Sequence, residues 1–196
     1  MHVIQVKCPN CQQPIISKNV DRVFWCDKCN TMHTRNGGTK VLDIEIGNFN
    51  PGIPGQVTFV PFWRVWANFA IHRSNVSGGT MFKMAKFFRG DSGQGSLFIF
   101  VPAMELDIGT FKNMAVNMTL DPPRPPSRMD FANLPRAPVK MSREEALQVA
   151  DFVFVTIEAD KPGVMQTLDY TLDVQDARLV YLPFIWGQDG GLRPAW

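Results

Sequence analysis

The chain has 196 residues, of which 45% are hydrophobic, and it carries 20 Lys and Arg against 18 Asp and Glu, a formal net charge of +2 at pH 7. A chain of this length and apolar content can bury a large core, with room for a small domain followed by one of ordinary size. No apolar run reaches the roughly 18 residues of a membrane-spanning helix, which excludes an integral helical membrane protein. We expect a soluble protein and leave peripheral membrane contact open.

Every cysteine lies in one of two Cys-x-x-Cys pairs. Cys8 and Cys11 form the first pair, Cys26 and Cys29 form the second, and fourteen residues separate the pairs. Two such pairs complete a closed four-thiolate shell around one tetrahedral ion, which leaves no position for water or substrate and predicts one structural zinc ion per chain. The alternative, two disulfides, needs an oxidising compartment. Because the start of the chain lacks the features of a secretory signal peptide, we expect reduced cysteines in the cytoplasm.

The motifs Cys-Pro-Asn-Cys and Cys-Asp-Lys-Cys resemble the two knuckles of a zinc ribbon, over about residues 1 to 40. Ribbon knuckles usually place Gly after the second Cys, where this chain has Gln12 and Asn30. Rubredoxins share the knuckle but hold iron and space the pairs further apart, so the resemblance favours zinc, with iron left open. A ribbon followed by aromatic Pro-Phe-Trp strands is also similar to uncharacterised prokaryotic zinc-ribbon proteins. The family includes nucleic-acid-binding, protein-docking and purely stabilising domains, so the resemblance does not identify a function for this chain.

Short strands are predicted around the two cysteine pairs, over residues 3–7, 22–25 and 31–35. We interpret His33 as a solvated strand residue; the alternative is a spare metal ligand. The turn at Asn36-Gly37-Gly38 ends the ribbon. The predicted domains are therefore 1–40, a zinc ribbon, and 41–196, an α+β domain.

The second domain begins with a predicted half-buried strand over 41–46, where apolar and acidic residues alternate. Aromatic and β-branched residues over 57–71 predict a long, bent strand, and Pro61 within it favours an edge strand or a bulge. A buried strand is predicted over 96–101. Alternation over 168–174 and a turn at 175–177 predict a hairpin reaching residue 184. The stretches 41–63 and 168–186 look alike, which fits either an internal duplication or chance.

Two helices are indicated by spacing and capping. Apolar residues recur at i, i+3, i+4 and i+7 from Phe111 to Met118, before Pro122. Ser142 and Glu145 form a capping box for a helix that runs to about Ala159. The six prolines of residues 121–140 predict an extended crossing between these helices. The fold class is therefore α+β: a zinc ribbon and a mixed, mainly antiparallel β domain with two or three helices.

No phosphate-binding loop, nucleophile with a base, or buried carboxylate pair stands out, so we predict that the protein is not an enzyme. The stretch 46–90 contains no acidic residue, but it has five Lys or Arg among nine Phe and Trp. In such a stretch either the aromatic residues are core and the cations lie at its solvent-exposed border, or both form a surface for a macromolecular partner. The candidate partner-binding residues are Trp63, Arg64, Trp66, Arg73, Lys83, Lys86 and Arg89.

From these features we predict a zinc-binding adaptor or accessory subunit that docks another macromolecule, with a protein preferred as the partner. The alternative is a nucleic-acid-binding accessory factor that uses the ribbon and the 46–90 stretch. Protein is preferred because five cations over this length are sparse for a surface that follows a phosphate backbone.

Overall fold

The computed structural model of the protein describes residues 3–18, 21–34, 40–77, 93–159, 164–187 and 191–196. Within these ranges the strands are β1 (Val3–Lys7), β2 (Pro14–Lys18), β3 (Val23–Cys26), β4 (Thr31–Thr34), β5 (Val41–Leu42), β6 (Ile44–Gly47), β7 (Val57–Ser77), β8 (Gln94–Pro102), β9 (Ser127–Arg128), β10 (Val164–Trp186) and β11 (Leu192–Pro194). The helices of these ranges are α1 (Ile108–Leu120) and α2 (Arg143–Ala159). The α+β class with a mixed, mainly antiparallel sheet is confirmed.

The main sheet is built on β7 and β10, which pair antiparallel along almost their whole lengths of 21 and 23 residues. Its strand order is β8-β7-β10-β6-β9, and β11 also pairs with β10. The pairing of β6 with β10 is parallel. The long strand predicted over 57–71 is confirmed, since its aromatic and β-branched side chains pack well on a pleated surface. The strand extends beyond the predicted end to Ser77.

Strand β10 shows that the predicted hairpin over 168–184 is wrong. The chain does not reverse at residues 175–177; the register with β7 shifts between Val174 and Asp176, and pairing then resumes. A β-bulge of this kind leaves one residue unpaired and bends the strand without ending it. The polar residues that suggested a turn therefore occupy a bulge.

The possible duplication of 41–63 and 168–186 finds no counterpart in the strand pairing. Leu42 and Pro61 lie on β5 and β7, which belong to different sheets. Leu168 and Pro183 lie on the single strand β10. The two stretches are therefore not equivalent strand pairs.

Pro61 was expected at an edge strand or a bulge, but β7 lies between β8 and β10 and its register is unbroken at this residue. The Pro61 carbonyl accepts a hydrogen bond from Ala103 N at 2.8 Å, which places the Pro61 nitrogen on the side of β8. Pairing with β8 ends one residue away, at Phe62 and Pro102. The Pro61 nitrogen, which carries no hydrogen, therefore faces the end of β8, where no hydrogen bond of the paired strands requires it.

Successive side chains of the central strands point to opposite faces of the sheet, and each face has its own apolar cluster. The larger cluster includes Phe59 and Trp63 of β7 and buried residues of α2, among them Ala150 and Phe154. The second cluster joins Phe62 of β7 to Met118 of α1. Neither α1 nor α2, the helices of the described ranges, has the length and apolar composition to span a bilayer.

The capping box at the start of α2 is confirmed. Ser142 N donates to a Glu145 carboxylate oxygen at 2.7 Å, and Glu145 N donates to the Ser142 hydroxyl at 3.2 Å. Both bonds satisfy backbone N–H groups that a helix start leaves without an intrahelical partner.

Replacing Ser142 with Ala should lower the free energy of unfolding by about 1 kcal/mol, because the first turn of α2 loses its cap. Denaturant titration of both proteins would measure the difference as a shift in midpoint with an unchanged slope. Ser127→Ala, in an exposed position on β9, is the control. An unchanged midpoint for Ser142→Ala would show that this cap does not stabilise the helix.

The N-terminal segment, residues 3–18 and 21–34, forms one small sheet and two of the three strands of a second. Strands β1 and β2 pair with each other, and β3, β4 and β5 form the second sheet. The single strand predicted over 41–46 is therefore split: β5 joins the N-terminal segment, whereas β6 joins the main sheet beside β10. A division of the chain at residue 40 stays a prediction, and strand pairing carries the N-terminal sheet on to Leu42.

The N-terminal segment packs on the stretch of chain between β9 and α2, and that stretch contacts the main sheet through Phe131. Val23 and Met32 belong to the larger core cluster, and the Trp25 ring meets Phe131 edge-on at 4.8 Å. Arg136 donates to an Asp21 carboxylate oxygen at 2.6 Å, and this pair is 19% and 7% exposed. The two parts of the protein therefore share one hydrophobic core, joined by a buried ion pair.

Candidate metal centre

The four cysteines converge at one end of the N-terminal segment. Cys8 follows β1 and Cys26 ends β3, while Cys11 and Cys29 lie in the turns that lead to β2 and β4. Their four Sγ atoms all lie within 4.8 Å of one another, with Cys8 and Cys29 at 3.6 Å and Cys11 and Cys26 at 3.5 Å. Sulfurs about 2.3 Å from a tetrahedral ion are about 3.8 Å apart, so the four thiols fit around one metal ion.

The turn after each cysteine pair has the backbone that a knuckle requires. Gln12 and Asn30, each directly after the second Cys, have φ of 59° and 51°. In the first turn Gln12 N donates to Cys8 O, and Cys8 N donates to Gln13 O, both at 2.8 Å. Both turns therefore form without glycine, although left-handed backbone is costlier for Gln than for Asn.

Thr31 and His33 place hydrogen-bonding groups next to two of the sulfurs, those of Cys29 and Cys8. Thr31 Oγ1 lies 2.9 Å from Cys29 Sγ and 2.9 Å from His33 Nε2, and that Nε2 lies 3.4 Å from Cys8 Sγ. The interpretation of His33 as a solvated residue is wrong: its side chain is fully buried. Its Nδ1 has no hydrogen-bond partner among the described residues, and burial lowers the pKa of His33, which favours the neutral form of the ring. Alternation along β4 did not reveal this network, because one of its members, Cys8, lies 25 residues away in the sequence.

Two of the thiols have a lowered pKa. The Thr31 hydroxyl donates to Cys29 and lowers the pKa of that thiol to about 6, because a hydrogen bond to the thiolate favours the charged form. Burial raises the pKa of Cys26 to about 12. Burial also opposes ionisation of Cys8, but the backbone N–H groups of Cys11 and Asn10 outweigh it, and the pKa of Cys8 is lowered. A bound cation would supply the charge that the remaining thiols need to ionise.

The residues predicted to bind a partner fall into three groups. Trp63 is 3% exposed and donates from Nε1 to Met141 O at 3.0 Å, so it belongs to the core and not to an exposed surface. Arg64, half-buried Trp66 and exposed Arg73 lie further along β7. Lys83, Lys86 and Arg89 lie outside the described residues.

Arg64 and Trp66 lie on the face of β7 that carries the second apolar cluster, which ends at Phe62 and Phe100. Beyond those residues the side chains of this face are exposed or half-buried, and we call this region the open sheet face. Its residues are Glu45 on β6, Arg64, Trp66, Asn68, Ala70, His72 and Arg73 on β7, Ser96 and Phe98 on β8, and Asp169, Thr171, Asp173, Asp176 and Arg178 on β10.

The centre of the open sheet face is aromatic and ion-paired. The Trp66 and Phe98 rings are 4.5 Å apart, and the Arg64 guanidinium lies 5.0 Å from the Phe98 ring centroid. Arg64 also donates to both carboxylate oxygens of Glu45, at 2.6 and 2.7 Å, and Arg178 donates to Glu45 at 3.0 Å. These two Arg residues lower the pKa of Glu45, against the opposing effect of burial, so the carboxylate stays ionised. The sequence singled out Arg64 and Trp66 but gave no signal for Phe98, Glu45 or the Asp residues of β10.

No protein-family model, curated protein or solved structure matches the chain. The likeness of its cysteine pairs to ribbon knuckles is therefore carried by the motifs and by the sulfur geometry. Function has to be inferred from the metal centre and the open sheet face.

Proposed function

We propose that the four cysteines hold one structural zinc ion in a zinc-ribbon fold, and that the protein is a non-enzymatic adaptor that docks a partner protein on its open sheet face. The observation that carries the proposal is the contact of Trp66 with Phe98 at the centre of that face, where Phe98 is 37% exposed. Large aromatic side chains at a sheet surface are the residues that most often dominate binding energy in protein interfaces.

Zinc is proposed because the donor set is four sulfurs with a short spacer between the pairs. An ion bound there would hold the two turns together, with all four positions taken by protein. That role is structural, and it leaves the open sheet face as the surface for a partner. A site of four thiolates needs a reducing compartment, which supports a cytoplasmic location.

Charge on the open sheet face favours protein over nucleic acid as the partner. Arg64 and Arg178 are neutralised by Glu45 and Asp43, to which they are ion-paired. Exposed carboxylates on β10 would repel phosphate groups. Nucleic acid is therefore disfavoured at this surface.

Capture of binding partners with the protein as bait, at native concentration, tests the proposal. Trp66→Ala should reduce recovery of the specific partner. In a follow-up affinity measurement it should weaken the binding free energy by about 2 kcal/mol or more, as expected for a hot-spot residue. Phe152→Ala, on the exposed side of α2, is the matched control and should bind as the unchanged protein does. Both variants are first compared by thermal unfolding.

Binding to nucleic acid would contradict the proposal. Submicromolar binding to nucleic acid near physiological salt, abolished by Lys83→Ala, Lys86→Ala and Arg89→Ala together, would identify a nucleic-acid-binding factor. In that case affinity would fall steeply with salt, and the triple change would flatten the slope, because each cation that neutralises a phosphate releases counterions.

A further inference from the structure

We infer that the partner presents a basic segment, and that one of its Lys or Arg side chains is held between the Trp66 ring and the carboxylates of Asp173 and Asp176. This inference rests on the proposed docking function and specifies the chemistry of the partner. It follows from the strand register, from the charges left on the open sheet face and from the ring contacts there.

The register places the two carboxylates beside the aromatic centre. Asp176 pairs across the strands with Trp66, and Asp173 pairs with Asn68, the next residue of β7 on that face. Both Asp residues are exposed. A cationic group above Trp66 would therefore lie close to two carboxylates.

These two carboxylates are the charges that the face leaves unbalanced. Arg64 and Arg178 are ion-paired with Glu45 and Asp43. Asp169 lies directly opposite Arg73 in the register, so those charges also compensate each other. Asp173 and Asp176 have neutral residues opposite them on β7, which leaves the described part of the face with about two negative charges.

The ring contacts show that this face accommodates a guanidinium on an aromatic ring. The Arg64 guanidinium lies 5.0 Å from the Phe98 centroid, within the distance at which a cation is attracted to a ring face. Trp66, 4.5 Å from Phe98, is the better cation acceptor because indole has the strongest ring quadrupole. A cation from a partner would gain both the ring attraction and the carboxylates.

The same charges select among possible occupants. A second copy of this chain, docked face to face, would bring like charges together, which disfavours a symmetric dimer through this surface. Phosphates of nucleic acid or of an anionic membrane would be repelled in the same way. A basic polypeptide segment is the partner class with complementary charge.

The test is a titration of the full-length, metal-loaded, ¹⁵N-labelled protein with hexa-arginine and hexa-lysine peptides, followed by NMR. The indole N–H signal of Trp66 and the amide signals of Asp173 and Asp176 should shift, and hexa-glutamate should leave them unchanged. The double variant Asp173→Asn, Asp176→Asn should raise Kd about five- to tenfold, as two exposed charges near a ring would. The matched control Glu105→Gln, Glu144→Gln removes two exposed charges outside this face and should keep the original Kd.

Three results would overturn the inference. Equal weakening by both double variants would show that only net charge matters, and peptide shifts that avoid Trp66 would place binding elsewhere. Self-association that disappears in Asp173→Asn, Asp176→Asn would identify a second copy as the occupant.

The inference and the docking function fail separately. If the captured partner depends on Trp66 but is indifferent to Asp173 and Asp176, the docking function stands and the basic partner is wrong. If the peptides bind as expected but capture of the partner ignores Trp66, the docking function is wrong.

Discussion

Replacing Cys26 with Ser should empty the metal centre and unfold the N-terminal segment. The segment buries little apolar surface among its own residues, and binding of a structural zinc ion, with a free energy of about 10 kcal/mol or more, would add to the contacts of Val23 and Met32 with the larger core cluster. Metal analysis should find one zinc per chain in the unchanged protein and much less in Cys26→Ser. NMR spectra should lose the dispersed signals of the N-terminal segment.

The loss should also reach the main sheet. Val23 and Met32 belong to the larger core cluster, so unfolding of the segment exposes part of that cluster. We therefore expect the main sheet to persist with a lower melting temperature. Thr31→Val, which keeps all four thiols but removes the hydroxyl beside Cys29, should retain zinc and release it faster to a chelator.

Two findings would contradict a zinc centre. One is much less than one equivalent of metal in freshly purified, reduced protein. The other is the presence of disulfides among the four cysteines. Iron in place of zinc would be recognised by its thiolate-to-metal absorption, and it would change the metal but not the closed four-sulfur site.

Replacing Asp21 with Ala should cost about 3–5 kcal/mol of stability, because it leaves the Arg136 guanidinium buried without its carboxylate. Asp21 also accepts hydrogen bonds from Val23 N and Val139 N, so the substitution leaves these two buried N–H groups without their acceptor. Chemical denaturation would measure the loss. Glu105→Ala, which breaks the pair with Lys140 at 3.7 Å where Glu105 is 85% exposed, should cost less than about 1 kcal/mol.

A double variant distinguishes loss of the ion pair from simple loss of packing. Asp21→Ala combined with Arg136→Met should be more stable than Asp21→Ala alone, since the unpaired charge is gone. If the double variant is as unstable as the sum of the two single changes, the buried ion pair does not link the N-terminal segment to the rest of the fold.

Sequence by itself determined the features that depend on neighbouring residues. The cysteine spacing predicted which four side chains converge, because a short turn fixes the distance between thiols two residues apart. The capping box of α2 was predicted because both of its hydrogen bonds lie within four residues. The helix ending before Pro122 followed from apolar spacing and from the inability of proline to continue a helix.

Only the tertiary structure decided features that depend on what packs from elsewhere. Trp63 and Trp66 lie three residues apart on β7, so they point to opposite faces, but strand periodicity does not say which face is covered. Trp63 is buried and donates to Met141 O, in the stretch before α2, whereas among the described residues the Trp66 ring contacts Phe98 of the neighbouring strand β8. The bulge in β10 could not be told from a turn for a similar reason, because both accept the same polar residues and pairing with β7 decides between them.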